Sequence, residues 1–102
     1  MPRRAEIWLA DLDKRRPVVV LTRDPMGDYL KSLLVVPVST RSRGLDVEVM
    51  LDQGDGLKRR SFANLDAAER VEVAAMRLLV GLVRDEKMDE ICRALSLSVG
   101  CD

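Results

Sequence analysis

Two short valine-rich runs constrain this chain more than any other feature. They are PVVVL at Pro17–Leu21 and SLLVVPV at Ser32–Val38. β-Branched side chains in succession favour extended backbone, and runs this short suit strands. A run that is apolar at nearly every position suits a buried strand. Proline offers no ladder donor, so Pro17 belongs at a strand entry. By the same rule Pro37 belongs near a strand end, a bulge or an edge.

The rest of the chain is read around these two strands. Glu6–Leu12 is a short apolar-rich segment that reads as a strand, and Ser61–Leu65 and Leu78–Val83 are further candidates. Leu45, Val47, Val49 and Leu51 alternate with polar residues, which predicts a half-solvated strand over Leu45–Leu51. Asp13–Arg16 is a tight charged connection, and Ser39–Gly44 a polar basic loop. DQGDG at Asp52–Gly56 reads as a tight hairpin turn. Asp66–Met76 is ambiguous, because its alanines and glutamates favour helix while its neighbours look like strands. Asp85 is placed to cap a final helix whose Met88, Ile91, Cys92 and Leu95 recur on one apolar face. Cys92 is then a core residue, Cys101 an exposed one, and Gly100 a stop signal. Several short strands and one terminal helix predict a mainly β fold, a small, strongly curved sheet or partly open barrel.

Composition removes whole classes of function. With 102 residues the chain is one domain spanning 1–102. There is no histidine, which excludes a histidine triad, a histidine general base and a histidine zinc site. Two cysteines make neither a zinc site nor a disulfide framework, so no metal or cofactor is expected. No apolar run is long enough to span a membrane, and the N-terminus lacks a signal peptide's apolar stretch. A cytoplasmic protein with no membrane partner is the expectation. Lys plus Arg is 17 and Asp plus Glu is 17, but the balance is uneven. Residues 1–43 hold nine basic and five acidic side chains, a balance of +4 that the remainder cancels.

Within that basic part, two clusters border the buried strands. Lys14, Arg15 and Arg16 run directly into PVVVL, where packing fixes the backbone and a guanidinium offers a rigid donor fork to phosphate. Ser39 and Thr40 leave the other strand just before Arg41 and Arg43, and hydroxyls and guanidinium groups are frequent donors to phosphate oxygens. Solvated loop residues are the simpler account of either cluster alone. Asp11 and Asp13 stand near Arg16 as candidate general bases.

RRAEIWLADLD, RRPVVVLTRD, LLVVPVST, GL…RRSFANLD and EKMDEICRALSLSVG, taken in order, resemble the MazF/PemK/Kid family of toxin endoribonucleases over nearly the full chain. The resemblance implies an SH3-like, strongly curved antiparallel barrel with a C-terminal helix, acting as a homodimer. It implies a toxin that cleaves single-stranded RNA without a metal ion, through attack by the 2′-hydroxyl on the adjacent phosphorus. The products would be 2′,3′-cyclic phosphate and 5′-hydroxyl ends. It also implies a cognate, MazE-like antitoxin as partner.

By that resemblance Arg16 matches the family's catalytic arginine, and Ser39, or Thr40 beside it, the catalytic hydroxyl. Lys14, Arg15, Arg41 and Arg43 would line the RNA path. Asn64 and Asp66 match residues that pack or hydrogen-bond near the dimer groove.

Three departures stand out. The first loop is short: DLD runs straight into KRRP, without the loop that in some relatives supplies a catalytic carboxylate. Asp11 and Asp13 are the carboxylates left for that role. Ala67, Ala68 and Glu69 stand where relatives often carry a glutamine and an arginine, and Ser39 replaces a more usual threonine. The alternatives these departures raise are a weakened relative that only binds antitoxin or RNA, or a gyrase-poisoning toxin of the CcdB type.

Overall fold

The structure, a computed structural model, describes residues 1–101. Seven strands form one antiparallel sheet: β1 Glu6–Asp11, β2 Arg15–Val20, β3 Ser32–Ser39, β4 Glu48–Leu51, β5 Ser61–Asn64, β6 Glu69–Glu72 and β7 Met76–Leu82. One helix follows, α1 Asp85–Ser98. The strand order is β4-β5-β3-β2-β1-β7, with β6 added beside β3. The path does not return on itself, so this is an open sheet of the expected kind rather than a closed barrel.

The two valine-rich runs are the central strands, and both of their faces are buried. Val19 of β2 and Val36 and Val38 of β3 join Ile7, Val49, Leu51 and the helix residues Met88 and Ile91 in one core. Val18 and Val20, with Leu33 and Val35, turn to a second core that Ala10, Val71 and Met76 complete. Alternating side chains thus feed two cores, which is why the runs show no polar alternation.

Pro37 sits where it disturbs the ladder least. One edge of β3 pairs first with β6, through Val35↔Glu69, and then with β5, through Val38↔Ala63. A 3-10 turn at Leu65–Ala67 joins those two strands, and Pro37 falls in the gap between the two pairings.

Several local expectations are corrected. Asp66–Met76 forms no α-helix; it divides into the 3-10 turn, β6 and a second 3-10 turn, because Val71 pairs with Leu33 and is buried. The strand expected from Leu45 starts only at Glu48, and Leu45 is exposed. The Glu48 carboxylate explains this: it accepts bonds from the Ser42 hydroxyl and the Arg43 N–H, both at 2.7 Å, and curls the preceding loop around itself. DQGDG is no tight hairpin but a 3-10 turn with a capping box between Asp52 and Asp55. Asp85 is not the cap. Arg84 holds that position, and its own N–H bonds the Asp55 carboxylate at 3.0 Å. The buried helix stripe is Met88, Ile91 and Ala94, which turns Cys92 outward to meet an Arg4 Nη at 3.1 Å. Cys101 is exposed as expected.

Candidate active site

Register brings the first two candidates together. Val18 pairs with Pro37, and side chains directly opposite one another share a face. Two residues further along each strand stand Arg16 and Ser39, so both project from the face of the second core. Packing of Val18, Val20, Leu33 and Val35 beneath them fixes the strands that carry them. A cavity of about 400 Å³ opens there, lined by Leu12, Asp13, Arg16, Pro37 and Glu69.

Arg16 is half-buried and already engaged. Its Nε lies 3.2 Å from one Asp13 oxygen and its Nη2 3.5 Å from the other. The Arg16 guanidinium, helped by the Lys14 N–H, holds the Asp13 carboxyl below the usual carboxylate range. Ser39 is exposed at the strand end, and its Oγ accepts the Arg41 N–H at 3.1 Å. Thr40 lies at the bend beyond the ladder and is exposed.

The other candidates separate. Arg15 points to the opposite face from Arg16, where its Nε meets Asp11 at 3.0 Å. Arg77 binds the second Asp11 oxygen at 2.5 Å, and the hydrogen bonds from Arg77 and Arg15 lower the Asp11 pKa. Asp11 and Arg15 are therefore not part of the cavity. Lys14 is exposed in the β1–β2 connection. Asn64 Oδ1 accepts the Asp66 N–H at 3.0 Å and caps the 3-10 turn beside β3; Asp66 itself is exposed.

A basic strip leads away from Ser39. Arg41 and Arg43 lie exposed in the loop after β3, and Lys58, Arg59 and Arg60 lie exposed ahead of β5. Arg41 follows β3 and Arg60 precedes β5 at the strand ends that the Ser39↔Phe62 pairing brings together. The second triplet is absent from the sequence-based site. Its signal was available, since KRR precedes a strand there as it does at Lys14–Arg16. A larger hollow of about 670 Å³ lies between β4 and α1, lined by Asp46, Glu48, Cys92 and Cys101 among others. It contains neither Arg16 nor Ser39. Among the described residues no group of three carboxylate or thiol side chains has metal-ligand spacing.

A sequence model of one protein family, described as a PemK-like, MazF-like toxin of type II toxin-antitoxin system, matches residues 3–99. This chain belongs to that family. As a PemK/MazF-like toxin it is 43% identical over 104 residues to a protein named probable endoribonuclease MazF5 from Mycobacterium tuberculosis, covering 99% of this chain and 95% of the relative. It is 30% identical to endoribonuclease MazF3 of the same organism, over 94% of this chain and 93% of that one. Among solved structures, the Mycobacterium tuberculosis toxin MazF-mt6 superposes with a TM-score of 0.91 at 30% identity, covering 95% of this chain and 98% of the other. A mycobacterial endoribonuclease solved with its cognate antitoxin shares the fold, with a TM-score of 0.92 at 20% identity and coverage of 100% and 98%.

Proposed function

We propose that this toxin is a sequence-selective endoribonuclease that cuts single-stranded RNA at the bond from phosphorus to the 5′-oxygen, through attack by the neighbouring 2′-hydroxyl and without a metal ion. The observation that carries the reading is that Arg16 and Ser39 share one face of the sheet, where Arg16 lines a cavity with Asp13 and Pro37. A phosphodiester seated there meets a guanidinium fork and a hydroxyl. Both donate to non-bridging oxygens, which gain negative charge as the 2′-oxygen attacks. An arginine is a poor proton donor at neutral pH, so Arg16 acts by orienting and stabilising charge. Asp13 holds the fork ready through the Arg16 Nε and Nη2, and the incoming phosphate meets the remaining guanidinium donors. Ser39 supplies the hydroxyl rather than Thr40, because Ser39 is the one on the Arg16 face.

The basic strip of Arg41, Arg43, Lys58, Arg59 and Arg60 carries the flanking phosphates. With one Trp, one Tyr and one Phe in the chain, base stacking on aromatic rings is a minor contribution. The same strip suits the acidic segment of a cognate antitoxin, which would block RNA. The edge strand β7 exposes Leu78, Leu79 and Leu82, at 56%, 48% and 61%, which supports a homodimer that covers them. No described helix is long and apolar enough to cross a membrane, and RNA as substrate fits a cytoplasmic site of action.

The test is direct. Purified protein is incubated with a defined RNA pool in EDTA, and the new ends are mapped. Cleavage at a short recurring sequence with 5′-hydroxyl and 2′,3′-cyclic phosphate ends is expected. Cleavage that requires an added metal, or that leaves 5′-phosphates, would overturn the reading.

A further inference from the structure

The 2′-hydroxyl must lose a proton as it attacks, and the short first loop leaves the acceptor unassigned. We propose that Glu69 is the general base, a deduction that rests on the Arg16–Ser39 reading of the cavity. Glu69 opens β6 and pairs with Val35 of β3, so it shares a face with Val35, Pro37 and Ser39. It lines the same cavity as Arg16, from the far side of Pro37. β2, β3 and β6 are successive neighbours there, so the strands carrying Arg16 and Glu69 lie about 10 Å apart, and the registers set Glu69 level with Val20, four residues or about 13 Å along β2 from Arg16. Two long side chains reaching inward from that spacing leave room for one ribose-phosphate unit. The Pro37 ring between them competes for no proton.

The other carboxylates fail on geometry. Asp11 lies on the opposite face, held by Arg15 and Arg77. Asp13 is in the cavity, but Arg16 occupies both of its oxygens. Hydrogen bonds that favour its charged form make it the weaker base. Asp66 lines no part of the cavity. Glu69 alone among the cavity residues is a carboxylate with no cation within ion-pair distance, among the described residues. The neighbouring Arg70 does not supply one: it turns to Ser32, bonding its Oγ at 3.1 Å and its carbonyl at 2.9 Å.

The step balances without a co-reactant beyond water. Glu69 takes the 2′-hydroxyl proton as the 2′-oxygen bonds to phosphorus. The bond from phosphorus to the 5′-oxygen breaks, and that oxygen takes a proton from water. Glu69 then returns its proton to solvent. The same carboxylate adds a negative charge where phosphate sits. It therefore opposes ground-state binding while promoting attack, and its removal moves the two quantities in opposite directions.

The experiment compares wild type, Glu69→Gln and Arg16→Ala in single-turnover cleavage of one RNA, with Kd measured on the same RNA carrying a 2′-deoxy sugar at the cut site. A general base contributes about 10²–10⁴-fold. Glu69→Gln should slow cleavage by at least about 10²-fold while binding the deoxy RNA as tightly as wild type or more tightly. A Glu69→Gln rate within a few-fold of wild type overturns the proposal, as does a slow rate matched by equally weakened binding. Arg16→Ala separates the two failures. If that variant also cleaves normally, the site reading itself has fallen; if it is dead while Glu69→Gln is active, only the base is misassigned.

Discussion

Asp55→Ala should cost this fold about 3 kcal/mol, although Asp55 lines no part of the Arg16 cavity. The Asp55 side chain is 0% exposed and accepts four hydrogen bonds. Two come from main-chain N–H groups, of Arg84 at 3.0 Å and Asp52 at 3.0 Å. Two come from the Arg84 guanidinium, at 3.2 and 3.3 Å. A buried donor that loses its acceptor costs about 1–3 kcal/mol, and breaking a buried ion pair about 3–5. The guanidinium is 38% exposed and keeps Asp52 at 3.2 Å, so water and Asp52 recover most of its share. The two main-chain donors then set the loss, and at about 1.5 kcal/mol each they total about 3. For a domain of this size that is a fall in Tm of about 12–24 °C. Thermal melts at one fixed protein concentration measure it, since any dimer makes Tm depend on concentration. Asp55→Asn keeps one acceptor oxygen and should lose roughly half as much. A loss below about 1 kcal/mol for Asp55→Ala would refute the reasoning.

Acid should act on the same residue: burial raises the Asp55 pKa, but the bonds from Arg84 and Asp52 outweigh it and leave the value depressed. A depressed carboxylate contributes stability above its unfolded value near 4 and loses it as pH falls through the folded value. Wild-type Tm should therefore fall on acidification below about pH 4 more steeply than that of Asp55→Asn, and parallel curves would contradict this. Gly81→Ala should destabilise by about 1–3 kcal/mol in urea unfolding, because a Cβ there runs into the Asp55 carbonyl oxygen and crowds the Gly56 Cα at 3.2 Å. Ser39→Ala should slow RNA cleavage by about 10²-fold while Thr40→Ala leaves it near wild type, and the reverse order would move the hydroxyl to Thr40. Replacing Arg59 and Arg60 together with alanine should flatten the plot of log Kd against log salt by about 1.4, at about 0.7 per phosphate contact on single-stranded RNA. An unchanged slope would remove them from the RNA path.

What the sequence reveals of this fold depends on where each contact originates. β2 and β3 are legible because double-sided burial writes an unbroken apolar run into the chain. β6 is not, since Glu69–Glu72 has one buried residue and its extension is imposed by pairing with β3, more than thirty residues earlier in the chain. Met88 and Ile91 announce the helix, yet Cys92 and Leu95 fit the same apolar spacing as Ala94. In the fold the small Ala94 faces inward and Cys92 turns out toward Arg4. In the candidate site, Arg16 and Ser39 are marked by their places beside the two buried strands. Glu69 is visible only as a departure from relatives, because its approach to Arg16 depends on two strand registers that no local pattern encodes.

The central claim is that Arg16 stabilises the charge on an attacked RNA phosphate. It is tested most directly by single-turnover cleavage with Arg16→Ala at saturating protein, alongside a thermal melt of the same preparation. The account expects a folded variant whose cleavage is slower by about 10²–10³-fold or more. A well-folded Arg16→Ala protein that cuts the same RNA at the wild-type rate would contradict it.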